Sequence, residues 1–298
     1  MKRCTFLEAS QPLPPLDFVL PGLLGGTAGL IVGPGAVGKT YLALQLAASI
    51  ALGRPVCGDE CTHLYPVQAT GAVAVVLGED PPEIVLHRLQ NIMRGIGLIQ
   101  REIELLDETL EICSAVDDDL ALLRKNPASG EYHKLKFAEE LERLCEGRRL
   151  VILDPLIFFA AGLDESSNGD MGALMRTLNQ IAHKTGSAIL VLHHIGKTSE
   201  KGGDDWEKAR GASALTTSVR LQINLSPPSA LECVEFGISP EDRGFYVRVA
   251  QVKANYAPPS DPVFLKRGMH GVLQAQRLVA VPQAEPTGKK GGRNAQGF

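Results

Sequence analysis

No apolar run in this 298-residue chain approaches the roughly 18 residues that a membrane span needs, and the stretches present are short and broken by glycine. The opening residues, MKRCTFLEASQPLPPLDF, also lack an apolar signal core, so the sequence leads to the expectation of a cytoplasmic protein with no membrane contact. A disulfide framework is missing too: Cys4, Cys57, Cys61, Cys113, Cys145 and Cys233 are scattered, as in a protein of a reducing compartment. Cys57, Cys61 and His63 suggest a zinc site, but no second ligand cluster follows, which favours an ordinary loop. Nor is there an excess of positive charge. With 30 basic against 34 acidic residues the net charge is −4, and any nucleic-acid contact has to come from local loops or from a site multiplied by assembly. No internal repeat is visible. What the chain does have is 44% hydrophobic residues, enough for a sizeable core in one large or two small domains.

Residues 1–26 are proline-rich and read as an extended arm. A core is expected over 27–275, and the composition of 276–298 predicts a disordered tail. Within the core, buried-strand patterns (TAGLIVG, GAVAVVLGED, LEICSA, RRLVILDP, SAILVLHH) alternate with helical ones (GKTYLALQLAASIALG, PPEIVLHRLQNIM, FAEELERLCEG, MGALMRTLNQIAHKTG). That alternation predicts an α/β fold with a mainly parallel sheet flanked by helices. Beyond residue 212 the stretches SVRLQINL, GFYVRVAQVKANY and PVFLKRGMHGVL predict antiparallel edge strands and a hairpin.

The segment GLIVGPGAVGKTYLAL carries the chemistry. Gly33, Gly38, Lys39 and Thr40 satisfy G-x-x-x-x-G-K-[ST] between a strand and a helix, which is the context the motif needs. The backbone of Gly33, Pro34, Gly35, Ala36, Val37 and Gly38, running into Lys39, Thr40 and Tyr41, is expected to cradle the phosphates of ATP or another NTP. Lys39 would reach the β and γ phosphates and the Thr40 hydroxyl would bind Mg²⁺. Asp154, after the apolar run of RRLVILDP, is the candidate Walker B carboxylate for the same metal. Pro155 follows it, so a water-activating carboxylate must come from elsewhere. Glu79 is the candidate, at the end of the strand after the P-loop helix and so within reach of the metal as well. Asp80 reads as the N-cap of the next helix, before Pro81 and Pro82. A base on that strand is the arrangement of RecA and the hexameric replicative helicases.

The run PPLDFVLPGLLGGTAGLIVGPGAVGKTYLALQLA, with LGEDPPEIVLHRL, EGRRLVILDP, ILVLHHIGK, ARGASAL and QVKANYAPP, resembles the RepA-type plasmid replicative DNA helicases from about residue 14 to 274. The resemblance implies a RecA-like core in a homohexameric ring, NTP bound between neighbours, and 5′-to-3′ unwinding in plasmid replication. Single-stranded DNA, a replication initiator and a separate primase are the partners it implies. It makes His194 a γ-phosphate sensor and Arg220 the finger that reaches a neighbour's nucleotide, with Arg88, Lys253 and Arg267 at basic positions near the nucleotide or the interface. Whether Arg210 or Arg220 is the finger stays open at this stage.

Gly-rich, polar residues 196–211 correspond to the channel loop of such rings. Lys197, Lys201, Lys208 and Arg210 could track a single strand and Trp206 could stack on a base, although four acids cancel the four bases. AAGLDESSNGDMG, residues 160–172, is an alternative and acidic channel loop. Competing readings are a RecA-like strand-exchange protein or helicase loader, a nucleotide-dependent clamp or regulator, and a small-molecule kinase.

Overall fold

The strand that feeds the P-loop, β1 (Ala28–Pro34), is buried on both faces. Ala28, Leu30 and Val32 point into one apolar cluster and Ile31 into the other. The same period-two division recurs in β2 (Val73–Leu77), β4 (Leu150–Asp154) and β5 (Ala188–Ile195), the signature of a sheet covered on both sides. The remaining strands are β3 (Leu110–Ser114), β6 (Leu221–Ser226), β7 (Tyr246–Ala254), β8 (Val263–Arg267) and β9 (Leu273–Gln276). Together they form one nine-stranded sheet in the order β9-β8-β7-β6-β1-β5-β4-β2-β3. The architecture is that of a computed structural model, which describes residues 1, 3–55, 57, 70–195 and 213–282.

From β6 to β3 every neighbouring pair is parallel, and β7, β8 and β9 add on antiparallel. The residues of SVRLQINL therefore differ from the expectation of an antiparallel edge. β6 lies inside the sheet and runs parallel to β1, with Leu221 opposite Gly29 and Asn224 opposite Val32. Its run of buried residues is the reason, because an edge strand would leave one side in water.

One face is covered by α1 (Lys39–Leu52), α2 (Pro82–Gly95) and α3 (Gln100–Thr109), the other by α4 (Lys136–Cys145) and α5 (Asn168–Thr185). Helix α1 is buried nearly all round, so its sequence has almost no polar face. Within it the amide of Gln45 is buried and forks onto one residue of the last strand: Nε2 donates to the Leu273 carbonyl at 2.8 Å and Oε1 accepts from the Leu273 N–H at 2.9 Å. Helix α2 starts with Pro82 at its first position and takes Pro81 as its N-cap. Asp80, read from sequence as that cap, instead pairs with Arg88 at 2.8 Å.

Of the first 26 residues, Phe18–Leu20 and Leu23–Leu24 pair as a small hairpin whose Val19, Leu20 and Leu23 are buried in the main core. Asp17 anchors it to Arg149, with Nη2 donating to Oδ1 at 2.8 Å. Among the described residues, no helix is long and apolar enough to cross a membrane.

A second hairpin, Leu123–Lys125 with Tyr132–Lys134, is fastened to the start of α5 by Asp170. This carboxylate is buried and accepts from Lys125 Nζ at 2.7 Å, Tyr132 Oη at 2.8 Å and the Asp164 N–H at 3.0 Å. Lys125 first, and then the Asp164 N–H, hold its pKa well below the ordinary carboxylate range. The unfolded chain therefore takes up this proton before the folded one as pH falls. The stability it contributes is present above about pH 4 and lost below it. Asp170→Asn should lower stability at pH 7 by about 1–3 kcal/mol and flatten the acid limb, as read by urea midpoints from pH 7 down to 3.

Candidate functional site: a phosphate cradle at the carboxyl edge of the sheet

Beyond β1 the chain turns sharply into α1. Ala36 and Gly38 both take positive φ, 62° and 106°, and Gly38 is the N-cap of α1 with no side chain bonding the first-turn amides. Those N–H groups are left for a ligand, and they lie at the positive end of the helix dipole. A Cβ on Gly33 would meet the Leu225 carbonyl at 2.7 Å, whereas one on Gly35 would meet nothing within 4 Å. Glycine is thus required at the first position by packing against β6, while the space over the second is open.

Lys39 is buried, and its Nζ donates to the carbonyls of Gly33 and Pro34, both at 2.8 Å. Burial lowers its pKa to about 8 against the opposing pull of Asp154 and Glu79. The third contact of Nζ is with His194 Nδ1 at 3.2 Å. Lysine can only donate, so this ring nitrogen accepts and the proton sits on Nε2. Burial, followed by the Lys39 and His193 charges, pushes the His194 pKa down to about 4, so the ring is neutral at pH 7. Its Nε2 faces Glu79 Oε2 at 3.9 Å, and Glu79 is half exposed. The register explains the meeting, since His194 lies opposite Gly33, and His193 beside it faces inward and is buried.

Thr40 Oγ1 donates to Asp154 Oδ2 at 2.6 Å. Burial raises the Asp154 pKa to about 6, opposed by the Thr40 hydrogen bond and the Lys39 charge. The peptide bond from Asp154 to Pro155 is cis. Leu77 lies opposite Asp154 across the β2–β4 pair, and the Gly78 N–H donates to the Asp154 carbonyl at 2.8 Å, so Glu79 emerges on the same edge. Among the described residues, no group of three or more His, Cys, Asp or Glu side chains could hold a metal. One hydroxyl and one carboxylate suit Mg²⁺, which keeps waters and takes phosphate oxygens for its other positions.

The flank of the cradle is basic and aromatic. Arg267 Nη2 donates to the Ala36 carbonyl at 3.0 Å, and the Arg88 guanidinium lies 5.8 Å from the Tyr41 ring centre. The Tyr41 hydroxyl donates to the His270 carbonyl at 2.7 Å, and Asn91 Nδ2 reaches the same hydroxyl at 3.3 Å. Asn91 and His270 carried no signal in sequence, because a polar helix residue and a turn residue have no periodicity to break.

Two of the basic residues are not brought together with this cradle. Arg220 precedes β6 and its N–H donates to the Ala28 carbonyl at the start of β1, with the side chain exposed. Seven residues of β1 separate that point from the loop, roughly 20 Å at about 3.3 Å per residue. Lys253 is at the same far end, with Nζ donating to the Thr216 carbonyl at 2.8 Å and its pKa lowered by burial and then by Arg220. Lys197, Lys201, Trp206, Lys208 and Arg210 lie outside the described residues, as do Cys61 and His63. The other loop, 160–172, is tied to the buried Asp170, whose Oδ2 accepts from the Asp164 N–H at 3.0 Å.

The family model described as an AAA domain, AAA_25, matches residues 2–200, which hold the P-loop, Glu79, Asp154 and His194. The chain belongs to the AAA_25 family. The fold of this AAA_25 protein is similar to that of the RadB recombinase, with a TM-score of 0.54 and 16% identity, covering 86% of this chain and 93% of that one. It is also similar to the flagellar accessory protein FlaH from Methanocaldococcus jannaschii (0.51, 13%, 87% and 91%). A third likeness is to a DnaB-like replicative helicase described with its interactions with primase (0.55, 14%), of which it spans 57% while 84% of this chain is covered. At these identities the likeness is one of fold, and the fold is RecA-like: a mostly parallel sheet between helices, with the P-loop at the carboxyl edge.

Proposed function

We propose that this AAA_25 protein is an NTP-driven DNA helicase of the RepA type, a homohexameric ring that moves 5′-to-3′ on single-stranded DNA during plasmid-type replication. The observation that carries this reading is the separation of Arg220 from the protein's own P-loop by the length of β1. An exposed arginine there is useful to nucleotide chemistry only if a neighbouring subunit presents its cradle to it. Such a head-to-tail contact repeats until it closes into a ring or runs on as a filament.

The residues of the cradle fit a triphosphate and Mg²⁺. Thr40 and Asp154 would hold the cation, which supplies charge neutralisation at the phosphates. Lys39 gives up its carbonyl partners for phosphate oxygens, and the α1 amides complete the cradle. Glu79 orients and deprotonates the attacking water. His194 lies between Glu79 and Lys39 and carries the loss of the terminal phosphate toward the segment that follows β5, the candidate DNA loop. An initiator and a separate primase would complete the replication machinery.

The test is hydrolysis and strand displacement measured together on forked duplexes with either the 5′ or the 3′ arm single-stranded. Displacement from the 5′ arm alone, coupled to hydrolysis, is the expected result. Hydrolysis stimulated by single strands without displacement would sink the motor in favour of a loader or recombinase, and electron microscopy would then separate rings from filaments.

A further inference from the structure

At the end of the sheet opposite the P-loop lies an open cleft of about 500 Å³, lined by Arg176 and Arg220 and, among the described residues, by no aspartate or glutamate. The two arginines come from different elements. Arg176 is on α5, exposed, and Arg220 precedes β6. Gly172, Arg176, Asn179 and His183 line the cleft at spacings of four, three and four, so a single face of α5 makes one wall.

Asn179 fixes that wall to the rest of the site. Its Oδ1 accepts from the Ala28 N–H at 3.2 Å, the first residue of the P-loop strand, and its Nδ2 donates to the carbonyls of Ser218 at 3.2 Å and Met175 at 2.9 Å. The helix face, the start of β1 and the segment bearing Arg220 are therefore held in one frame. Neither guanidinium is in an ion pair among the described residues. Two arginine forks with no carboxylate opposite them among the described residues match the geometry and charge of phosphate.

We propose that this cleft receives the triphosphate of the nucleotide held by a neighbouring subunit, and that Arg176 contacts it alongside Arg220. This rests on the ring reading above and adds to it a second arginine. Arg176, on a helix that the P-loop strand is bonded to, makes the acceptance of a neighbour's phosphate and the position of the subunit's own P-loop strand parts of one rigid body.

The experiment uses the full chain. Arg176→Ala alone should slow hydrolysis about ten- to a hundredfold, the worth of one hydrogen-bonded contact to a charged group, with nucleotide affinity of the subunit's own cradle unchanged. Lys39→Ala alone should be inactive. Co-expressed, the two lesions meet in one site at some interfaces and leave others at which an intact cradle meets an intact cleft, and activity should recover above the sum of the two. A merely structural role for Arg176, or a role in its own subunit's site, gives no recovery. Arg220→Ala with Lys39→Ala is the control. If that pair recovers and the Arg176 pair does not, or if Arg176→Ala hydrolyses at the wild-type rate, the Arg176 inference is overturned alone. If neither pair recovers, the shared-site reading falls and takes the inference with it. Loss of oligonucleotide binding by Arg176→Ala with hydrolysis intact would make the cleft a nucleic-acid contact and equally overturn it.

Discussion

Arg220→Ala should lower the hydrolysis rate by about 10³-fold or more, the range measured for removing an arginine that stabilises the transferring phosphoryl group. Binding of nucleotide to the P-loop should be unaffected, because Arg220 touches nothing in its own cradle and bonds through its backbone, its N–H to Ala28 and its carbonyl to the Asn255 N–H. The side chain is exposed, so its loss leaves no cavity and no buried orphan, and the fold should melt as the wild type does. Two measurements check the prediction: single-turnover hydrolysis, and the affinity of a fluorescent nucleotide. If hydrolysis is unchanged, the finger is a different residue, and Arg210 is the next to replace.

Glu79→Gln should have the other large effect, a loss of about 10² to 10⁴ in the chemical step, the contribution of a positioned general base. The substitution keeps size and polarity, and Glu79 is bonded to neither Lys39 nor Thr40, so the phosphate and metal contacts survive. A protein that binds the NTP tightly and does not turn it over is the expected outcome, and under the proposed helicase reading such a variant should still assemble and bind single strands. Equal loss of binding and turnover would move Glu79 from water activation to the metal. Asp154→Asn provides the contrast, since it removes the charge facing the Thr40 hydroxyl and should weaken Mg²⁺-dependent binding itself.

The cradle was legible in the sequence because its parts are local. A strand of apolar residues, a glycine loop and a helix without a polar face occupy consecutive positions from 28 to 52, and each element agrees with its neighbours. The positions of Glu79 and Asp154 were legible for the same reason, since Asp154 ends one buried strand and Glu79 follows another by two residues. Direction was not legible. Leu221–Ser226 has the apolar pattern of a buried strand, but only pairing with β1 decides that it runs parallel and internal. Asp80 was misread as a cap because a carboxylate before two prolines has that form, while its true partner, Arg88, lies two turns into α2. Helix Gln100–Thr109 and the hairpin 123–134 were missed. The helix has no fully buried residue, and the strands of the hairpin are three residues long. The cleft was beyond reach of sequence reading, because Arg176, Asn179 and Arg220 converge only once α5 is laid against the ends of β1 and β6.

The pair β1 and β6 carries Lys39 beyond one end and Arg220 before the other, with four residues in register between them and all but Asn224 of the β6 partners buried. A connection of this kind behaves as a stiff rod: nothing along it can bend to bring the two ends closer. In the proposed ring the reach of Arg220 toward a phosphate would then be set by how whole subunits tilt against one another, and a stroke would be a change of angle between neighbours rather than the closing of jaws within one chain.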